Sequence, residues 1–193
     1  MYEVEQKFQV ADLPALEAKL VGLAARFCEP VEQVDRYFAH PCRDFVKTDE
    51  ALRLRRVGDQ VAATWKGPRI DSASKTRREL ELALAQVSPL PGGTHGGQIT
   101  LDCWTELFEA LGFRQVRDVA KRRRAARVPW QGTEVEAALD RVEGVGEFLE
   151  LELQAAEGEV PLATACIGSL ARALGCAGQE RRSYLELLIA AGR

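Results

Sequence analysis

Several features are missing from this chain, and each absence narrows its reading. No apolar run approaches the length of a membrane span, and no stretch has the pattern of a secretory leader. Cys28, Cys42, Cys103, Cys166 and Cys176 are odd in number and scattered, with no Cys-x-x-Cys pair. That argues against a disulfide framework or a thiolate metal site and for reduced thiols, so the expectation is a cytoplasmic protein with no membrane partner. Net charge is −3, which excludes a global basic field of the kind that binds nucleic acid. There is no internal repeat of fixed period and no low-complexity tract. What remains is an ordinary globular composition, 46% hydrophobic and 28% charged over 193 residues. It suits a single domain spanning 1–193 with a real core.

The informative pattern is alternation. In Met1-Tyr2-Glu3-Val4-Glu5-Gln6-Lys7-Phe8, read as a strand, Glu3, Glu5 and Lys7 share one face. The opposite face, Tyr2, Val4, Gln6 and Phe8, is mostly apolar and suited to pack on a helix. The same split recurs where Arg53 and Arg55 alternate with leucines, then at Glu79 and Glu81, and again at Glu150 and Glu152. Lys121 and Arg123 follow it with Arg122 and Arg124 between them, which makes that basic run half one face and half the other rather than a nucleic-acid patch.

The rest of the chain supplies the elements. Asp12 caps an expected helix reaching about Arg26, with Leu13, Leu16, Leu20, Leu23 and Phe27 on one face. A strand follows over Glu32–Phe38, then a loop over His40–Glu50 and strands over Ala51–Val57 and Val61–Lys66 around a Gly58-Asp59 turn. A loop over Gly67–Lys75 leads to a strand over Thr76–Ala85, and the Gly/Pro-rich Pro89–Gly97 joins it to a helix over Leu101–Leu111 ending at Gly112. Strands over Phe113–Pro129, Thr133–Arg141 and Glu147–Gln154 precede helices over Pro161–Leu174 and Gln179–Ala191. Many hairpin-linked strands with few helices indicate an antiparallel sheet in an α+β domain.

An open sheet with one wet face would also show alternating charge and leucine. Two features favour a sheet closed with its charges inward. The signs are segregated by strand, and arginine, whose rigid fork suits phosphate oxygens, dominates the basic strands. Buried charges of both signs are costly unless paired or ligated. A polyphosphate on the cations and a hard divalent metal such as Mg²⁺ or Mn²⁺ on the glutamates would satisfy both sets. The remaining notable residues have plainer explanations. His40, His95 and the Arg181-Arg182 pair are expected at the surface, the last on a helix; Ser72, Ser74 and Lys75 form a loop, with closure over substrate left open; Trp65, Trp104 and Trp130 are expected as packing.

The ordered motifs carry a resemblance. Glu3-x-Glu5-x-Lys7; Gln33-x-Asp35-x-Tyr37-Phe38; Pro41-x-Arg43-Asp44-Phe45; Leu52-Arg53-Leu54-Arg55; Trp65-Lys66-Gly67-Pro68; Arg77-Arg78-Glu79-Leu80-Glu81; Val119-x-Lys121-x-Arg123; Leu139-Asp140; Glu150-Leu151-Glu152; and Ser183-Tyr184-Leu185 occur in sequence along nearly the whole chain. Together they resemble the CYTH family, also called triphosphate tunnel metalloenzymes, which contains class IV adenylyl cyclases, thiamine triphosphatases and inorganic triphosphatases. The run from Asp35 to Arg55 looks most like the cyclase branch.

The resemblance implies a closed eight-stranded antiparallel β-barrel, a triphosphate tunnel, with flanking helices. It implies phosphate contacts at Lys7, Arg53, Arg55, Lys66, Lys121 and Arg123, and metal ligation at Glu3, Glu5, Glu150 and Glu152, with Asp140, Glu79 and Glu81 as further candidates. Glu3, Glu5, Lys7, Arg55 and Lys66 would be the catalytic group, working with Mg²⁺ or Mn²⁺ on ATP or another triphosphate. Cyclisation of ATP to cyclic AMP and pyrophosphate leads. Hydrolysis of tripolyphosphate, thiamine triphosphate or nucleoside triphosphates, and non-catalytic polyphosphate binding, stay open as alternatives, as do a homodimer, the general base and the choice of metal.

Overall fold

The computed structural model describes residues 2–69, 77–84 and 100–192. The strand-forming alternation is realised in β1 (Tyr2–Val10), β3 (Val31–Ala39), β4 (Ala51–Val57), β5 (Gln60–Arg69), β6 (Arg77–Leu84), β7 (Arg114–Trp130), β8 (Thr133–Val142) and β9 (Gly146–Ala155), with a two-residue β2 (Arg26–Phe27). The helices are α1 (Leu13–Gly22), α2 (Phe45–Thr48), α3 (Leu101–Ala110), α4 (Val160–Leu174) and α5 (Tyr184–Ala190). The strands hydrogen-bond in the order β2-β7-β3-β4-β5-β6-β1-β9-β8, and β7 also pairs with β8. Eight of them therefore close into an antiparallel β-barrel, with β2 a short addition on β7. Closure removes free sheet edges.

Two compact units divide the chain. The first comprises Met1–Val31, Arg69–Arg78 and Lys121–Arg193; the second comprises Glu32–Pro68 and Glu79–Ala120. In the first, β1, β9 and β8 present Val4, Phe8, Leu149, Leu151, Val135, Ala137 and Leu139 to one core, completed by Leu16 and Leu20 of α1 and Ile167, Leu170 and Leu174 of α4. In the second, Phe38, Leu54 and Val61 pack with Leu101, Trp104 and Phe108 of α3. In both, the leucine-bearing sides of the alternating strands meet helices, α1 and α4 in the first unit and α3 in the second.

Several boundaries differ from the sequence expectation, each for a local reason. Helix α1 stops at Gly22 rather than near Arg26, because Ala24 turns into the left-handed region at φ 59° and Arg26 and Phe27 pair with β7. The loop over His40–Glu50 contains α2, which Asp44 starts by accepting hydrogen bonds from the Val46 and Lys47 backbone N–H groups. Its His40 is half-buried instead of solvated, with its ring against Phe45 and Phe113 and its Nδ1 accepting from the N–H groups of Cys42 and Arg43 at 3.0 Å each. The last helix begins at Tyr184, not Gln179, because Gln179 is drawn into a bridge with Phe8 and Ser183 supplies the cap. Arg181 and Arg182 thus precede the helix.

Of the tryptophans expected as packing, Trp104 packs in the second core and Trp130 against the first, where it also donates to Ser169 at 2.7 Å; Trp65 is half-buried and donates to Glu50 at 3.1 Å. Among the described residues no disulfide joins the five cysteines, and no helix is long and apolar enough to cross a membrane. The ends of the Thr76–Ala85 strand, most of the Gly67–Lys75 loop with Ser72, Ser74 and Lys75, and Pro89–Gly97 with His95 lie outside the described residues.

Ile167 is fully buried where α4 meets the sheet. Truncation to alanine removes a large core side chain and leaves a cavity, so Ile167→Ala is expected to lower unfolding free energy by about 2–5 kcal/mol. Denaturant titration checks this, and an unchanged midpoint would refute the placement of α4.

Candidate active site

The charged faces form one cluster in each unit. In the first, antiparallel register sets Lys7 opposite Glu150 and Glu5 opposite Glu152. It also sets Arg123 opposite Asp140. Cross-strand partners share a face, so β1, β9, β8 and β7 deliver Lys7, Glu150, Asp140 and Arg123 to the same side. Burial there is deep: Asp140 is 0%, Lys7 1% and Lys121 4% exposed. Asp140 is the hub. It accepts from Arg123 Nε at 2.7 Å, from Lys121 Nζ at 3.2 Å and from the Tyr184 hydroxyl at 2.9 Å, while Arg123 also donates to Glu150.

Burial disfavours the Arg123 charge, but Asp140 and Glu150 more than offset it and hold the guanidinium's pKa well above its ordinary value. Burial pushes the Tyr184 phenol well up, with the Glu150 and Asp140 carboxylates adding to the effect. Tyr184 is therefore a neutral donor. Lys7 Nζ lies 4.0 Å from the centroid of its ring and Lys121 Nζ 5.1 Å.

The second unit repeats the design on β3, β4 and β5. Asp35 stands opposite Arg55, and Tyr37 opposite Arg53. Asp35 takes a two-point contact from Arg55, Nε to Oδ1 at 2.7 Å and Nη2 to Oδ2 at 2.8 Å, and a third bond from Arg53 at 3.3 Å. Lys66 pairs with Glu79 at 2.5 Å, Arg53 approaches Glu79 at 4.0 Å, and Thr64 donates to Glu81 at 2.9 Å. Burial opposes the Arg53 charge, and Asp35, Tyr37 and Glu79 outweigh it, raising its pKa above the ordinary value.

Thus Lys7, Lys121, Arg123, Asp140 and Glu150 are brought together in one cluster, and Arg53, Arg55, Lys66, Glu79 and Glu81 in the other. Glu3 and Glu5 continue the Lys7 face of β1, where Glu3 stands opposite Gln154 of β9 and Arg77 of β6. A residue outside the expected set joins them. Glu136 of β8 stands opposite Glu152, so Glu5, Glu152 and Glu136 form a cross-strand row of carboxylates. The sequence carried its signal: Glu136 and Asp140 are four apart in a period-two strand. Asp35 and Tyr184, quoted for resemblance alone, prove to be the partners of the cations.

Like charges placed opposite one another are destabilising, and hard oxygen donors in a row suit a divalent cation. Arg127 offsets part of that row by pairing with Glu136 at 3.1 Å. Among the described residues no three carboxylate, imidazole or thiol groups converge as a ligand set. The fit therefore rests on the strand register and donor chemistry of Glu5, Glu136 and Glu152. Asp140 differs, since donors from Arg123, Lys121 and Tyr184 already occupy both of its oxygens.

Removing Asp140 strips the buried cations of their shared anion, so Asp140→Ala is expected to cost about 3–5 kcal/mol of stability in denaturant unfolding. A cost below 1 kcal/mol would contradict its place as hub. Nearby, Glu180 donates its backbone N–H to the Lys7 carbonyl at 2.7 Å. Hydrogen bonds from Arg182 hold the Glu180 carboxyl down at about 2. Its folded value lies below the ordinary 4.5, so its contribution is present above pH 4.5 and is lost as pH falls toward 2. Tm followed across that window should drop less steeply in Arg182→Ala than in wild type; parallel curves would refute the pairing.

A family model described as CYTH domain matches residues 1–184. The chain is 33% identical to a Methanocaldococcus jannaschii protein named "Putative adenylate cyclase MJ0240", over 97% of this chain and 98% of that one. The solved structure of PH1819 from Pyrococcus horikoshii is 39% identical, with TM-score 0.81 over 97% of this chain and 98% of that one. A Vibrio parahaemolyticus structure titled a putative adenylate cyclase is 20% identical and shares the fold, with TM-score 0.77 over 98% of each chain. With the family match spanning all but the last nine residues and the expected charges clustered on the strands, this chain belongs to the CYTH family.

Proposed function

We propose that the protein is a divalent-cation-dependent enzyme of the class IV adenylyl cyclase type, converting ATP to cyclic AMP and pyrophosphate. The observation that carries the reading is the first unit's strand face, where Lys7, Lys121 and Arg123 gather beside the Glu5, Glu152 and Glu136 row. Clustered donors of this kind fit a polyanion, and the name of the 33%-identical relative supports cyclisation as the reaction.

In this reading the ribose 3′-oxygen bonds to the α-phosphorus, the bond from that phosphorus to the bridging oxygen breaks, and pyrophosphate leaves. The 3′-hydroxyl proton passes to solvent. Lys7, Lys121 and Arg123 bind phosphate oxygens and stabilise the charge that builds on the leaving group. Arg53, Arg55 and Lys66 of the second unit supply the same chemistry. A divalent cation, Mg²⁺ or Mn²⁺, would be held by Glu5, Glu136 and Glu152, with Glu3 and Glu150 beside them, and would neutralise and orient phosphate oxygens. Asp140 fixes the cations, and Glu79 and Glu81 fix Lys66 and Thr64. A hydrolase would use the same donors, with water attacking the terminal phosphorus.

Purified protein should be given ATP and, separately, tripolyphosphate, each with Mg²⁺ or Mn²⁺. Cyclic AMP with stoichiometric pyrophosphate is the expected outcome. Orthophosphate from tripolyphosphate without cyclic AMP overturns the cyclase in favour of a triphosphatase, and tight binding without turnover leaves a binding module. Arg55→Ala should raise KM roughly ten- to hundredfold, the worth of a charged hydrogen bond or two. Glu5→Gln should instead raise the divalent-cation concentration needed for half-maximal rate. Unchanged kinetics in both would discredit the assignments.

A further inference from the structure

The second unit holds a buried polar group that neither the phosphate nor the metal assignments use. Gln33 is 8% exposed, on the face of β3 that also carries Asp35 and Tyr37. Its amide oxygen is buried and has no hydrogen-bond partner among the described residues. Such an orphan is rare in a folded interior, because the group gives up water and gains nothing in exchange. The same cluster contains another of the opposite kind. Arg53 Nη1 reaches Asp35 at 3.3 Å, but Arg53 Nε is a buried donor with no acceptor among the described residues. One orphan calls for an N–H or O–H donor, the other for an acceptor.

Register shows what surrounds Gln33. On β4, Arg53 and Arg55 give way to Val57, which stands opposite Gln33. On β5, Thr64 opposite Arg53 gives way to Ala62 opposite Arg55 and Gln60 opposite Val57. The face therefore grades from arginine into small, uncharged side chains, and Gln33 lies two residues beyond Asp35, about 7 Å along the strand. Inorganic tripolyphosphate answers only the charged part: its oxygens accept from Arg53, but it carries no N–H for the Gln33 oxygen. A nucleotide answers both parts. Its phosphates supply acceptors, and its base brings a flat apolar ring with an amino group to the uncharged end. Glutamine matches adenine in particular, since a carboxamide accepts from the 6-amino group while donating to the neighbouring ring nitrogen.

We infer that Gln33 is a specificity-determining residue of the site. Its carboxamide pairs with the amino edge of adenine while Arg53 Nε meets a phosphate oxygen, so that the second unit selects an adenine nucleotide over inorganic polyphosphate. This deepens the cyclase reading above and rests on it.

The test is calorimetric titration, with Mg²⁺ present, of three probes. These are α,β-methylene-ATP, which cannot release pyrophosphate; the same compound with purine in place of adenine, which lacks the 6-amino group; and tripolyphosphate. Wild type should bind the adenine compound about tenfold more tightly than the purine compound, the worth of a hydrogen bond whose loss leaves a buried acceptor unpaired. Gln33→Leu replaces an unpaired amide with an apolar side chain of similar size, a change the fold should accept. It should bind the two nucleotides alike and keep tripolyphosphate affinity within about threefold of wild type. Wild type binding both nucleotides equally overturns the inference alone, and that result needs no variant to fold. So does a leucine variant that still discriminates, or one that loses tripolyphosphate affinity as much as nucleotide affinity. Wild type that binds tripolyphosphate but neither nucleotide overturns the cyclase reading and this inference with it. Failure to bind any of the three overturns the polyanion site on which both stand.

Discussion

Burying cations beside one another is the constraint on which this molecule depends. Lys7 on β1 and Lys121 and Arg123 on β7 sit across the β9–β8 pair in the first unit, with almost no access to water for the two lysines. Taking each ion out of water costs several kcal/mol, and only close, well-directed counter-groups repay it. Asp140 meets that demand by engaging both oxygens with three partners, Glu150 adds a contact to Arg123, and Tyr184 adds a neutral donor and a ring. The arrangement needs a rigid support. Antiparallel register provides it, because β7 and β8 set Arg123 opposite Asp140 and β1 and β9 set Lys7 opposite Glu150. The apolar side of the same strands, packed on α1 and α4, supplies the favourable free energy that makes the ionic side tolerable.

The second unit solves the same problem with a different balance. Arginine replaces lysine at the centre, and the two-point contact of Arg55 on Asp35 is fixed in angle as well as distance. Helix α3 backs the opposite side through Phe38, Leu54 and Leu101. It is anchored by Arg36, which points away from the ionic face to bond Asp118, Asp102 and Thr105. Asp118 comes first among the influences on this guanidinium; burial opposes it, and the net effect raises its pKa. Thus one β3 strand sends Asp35 to the candidate site and Arg36 to the scaffold. Period-two geometry alone separates the two tasks.

That geometry also explains what could be read from the letters. Alternation was sufficient to put Glu5 with Lys7, Arg53 with Arg55 and Glu150 with Glu152 on common faces, since a strand leaves its side chains no third choice. It split the Lys121-Arg122-Arg123-Arg124 run correctly: Lys121 and Arg123 turn to Asp140, while Arg124 meets Glu17 and Phe27. Cross-strand identity was not legible in the same way. That Glu136 stands beside Glu152, or Asp35 beside Arg55, depends on register between segments distant in sequence, which no local pattern encodes. Helix ends failed for a related reason. The apolar spacing that extended α1 toward Arg26 continued through residues that tertiary pairing with β7 pulls into β2. At the C-terminus the bridge from Gln179 to Phe8 likewise outcompeted helix propensity.

Register further separates two kinds of carboxylate that composition treats alike. Asp140 and Asp35 each stand opposite an arginine, and each is consumed by it. Such a group fixes a cation's position; its oxygens are poor candidates for any incoming ligand. Glu5, Glu152 and Glu136 stand opposite one another, an arrangement that sets like charges on a common face, with Gln154 donating to Glu152 at 3.1 Å and Arg127 pairing with Glu136. The first kind shapes where phosphate oxygens would be met. On the functional reading proposed above, a divalent cation held there would offset like charges that register sets side by side. Under that proposed reading an anionic substrate and a cation would bind cooperatively, because each would offset charge among the other's ligands.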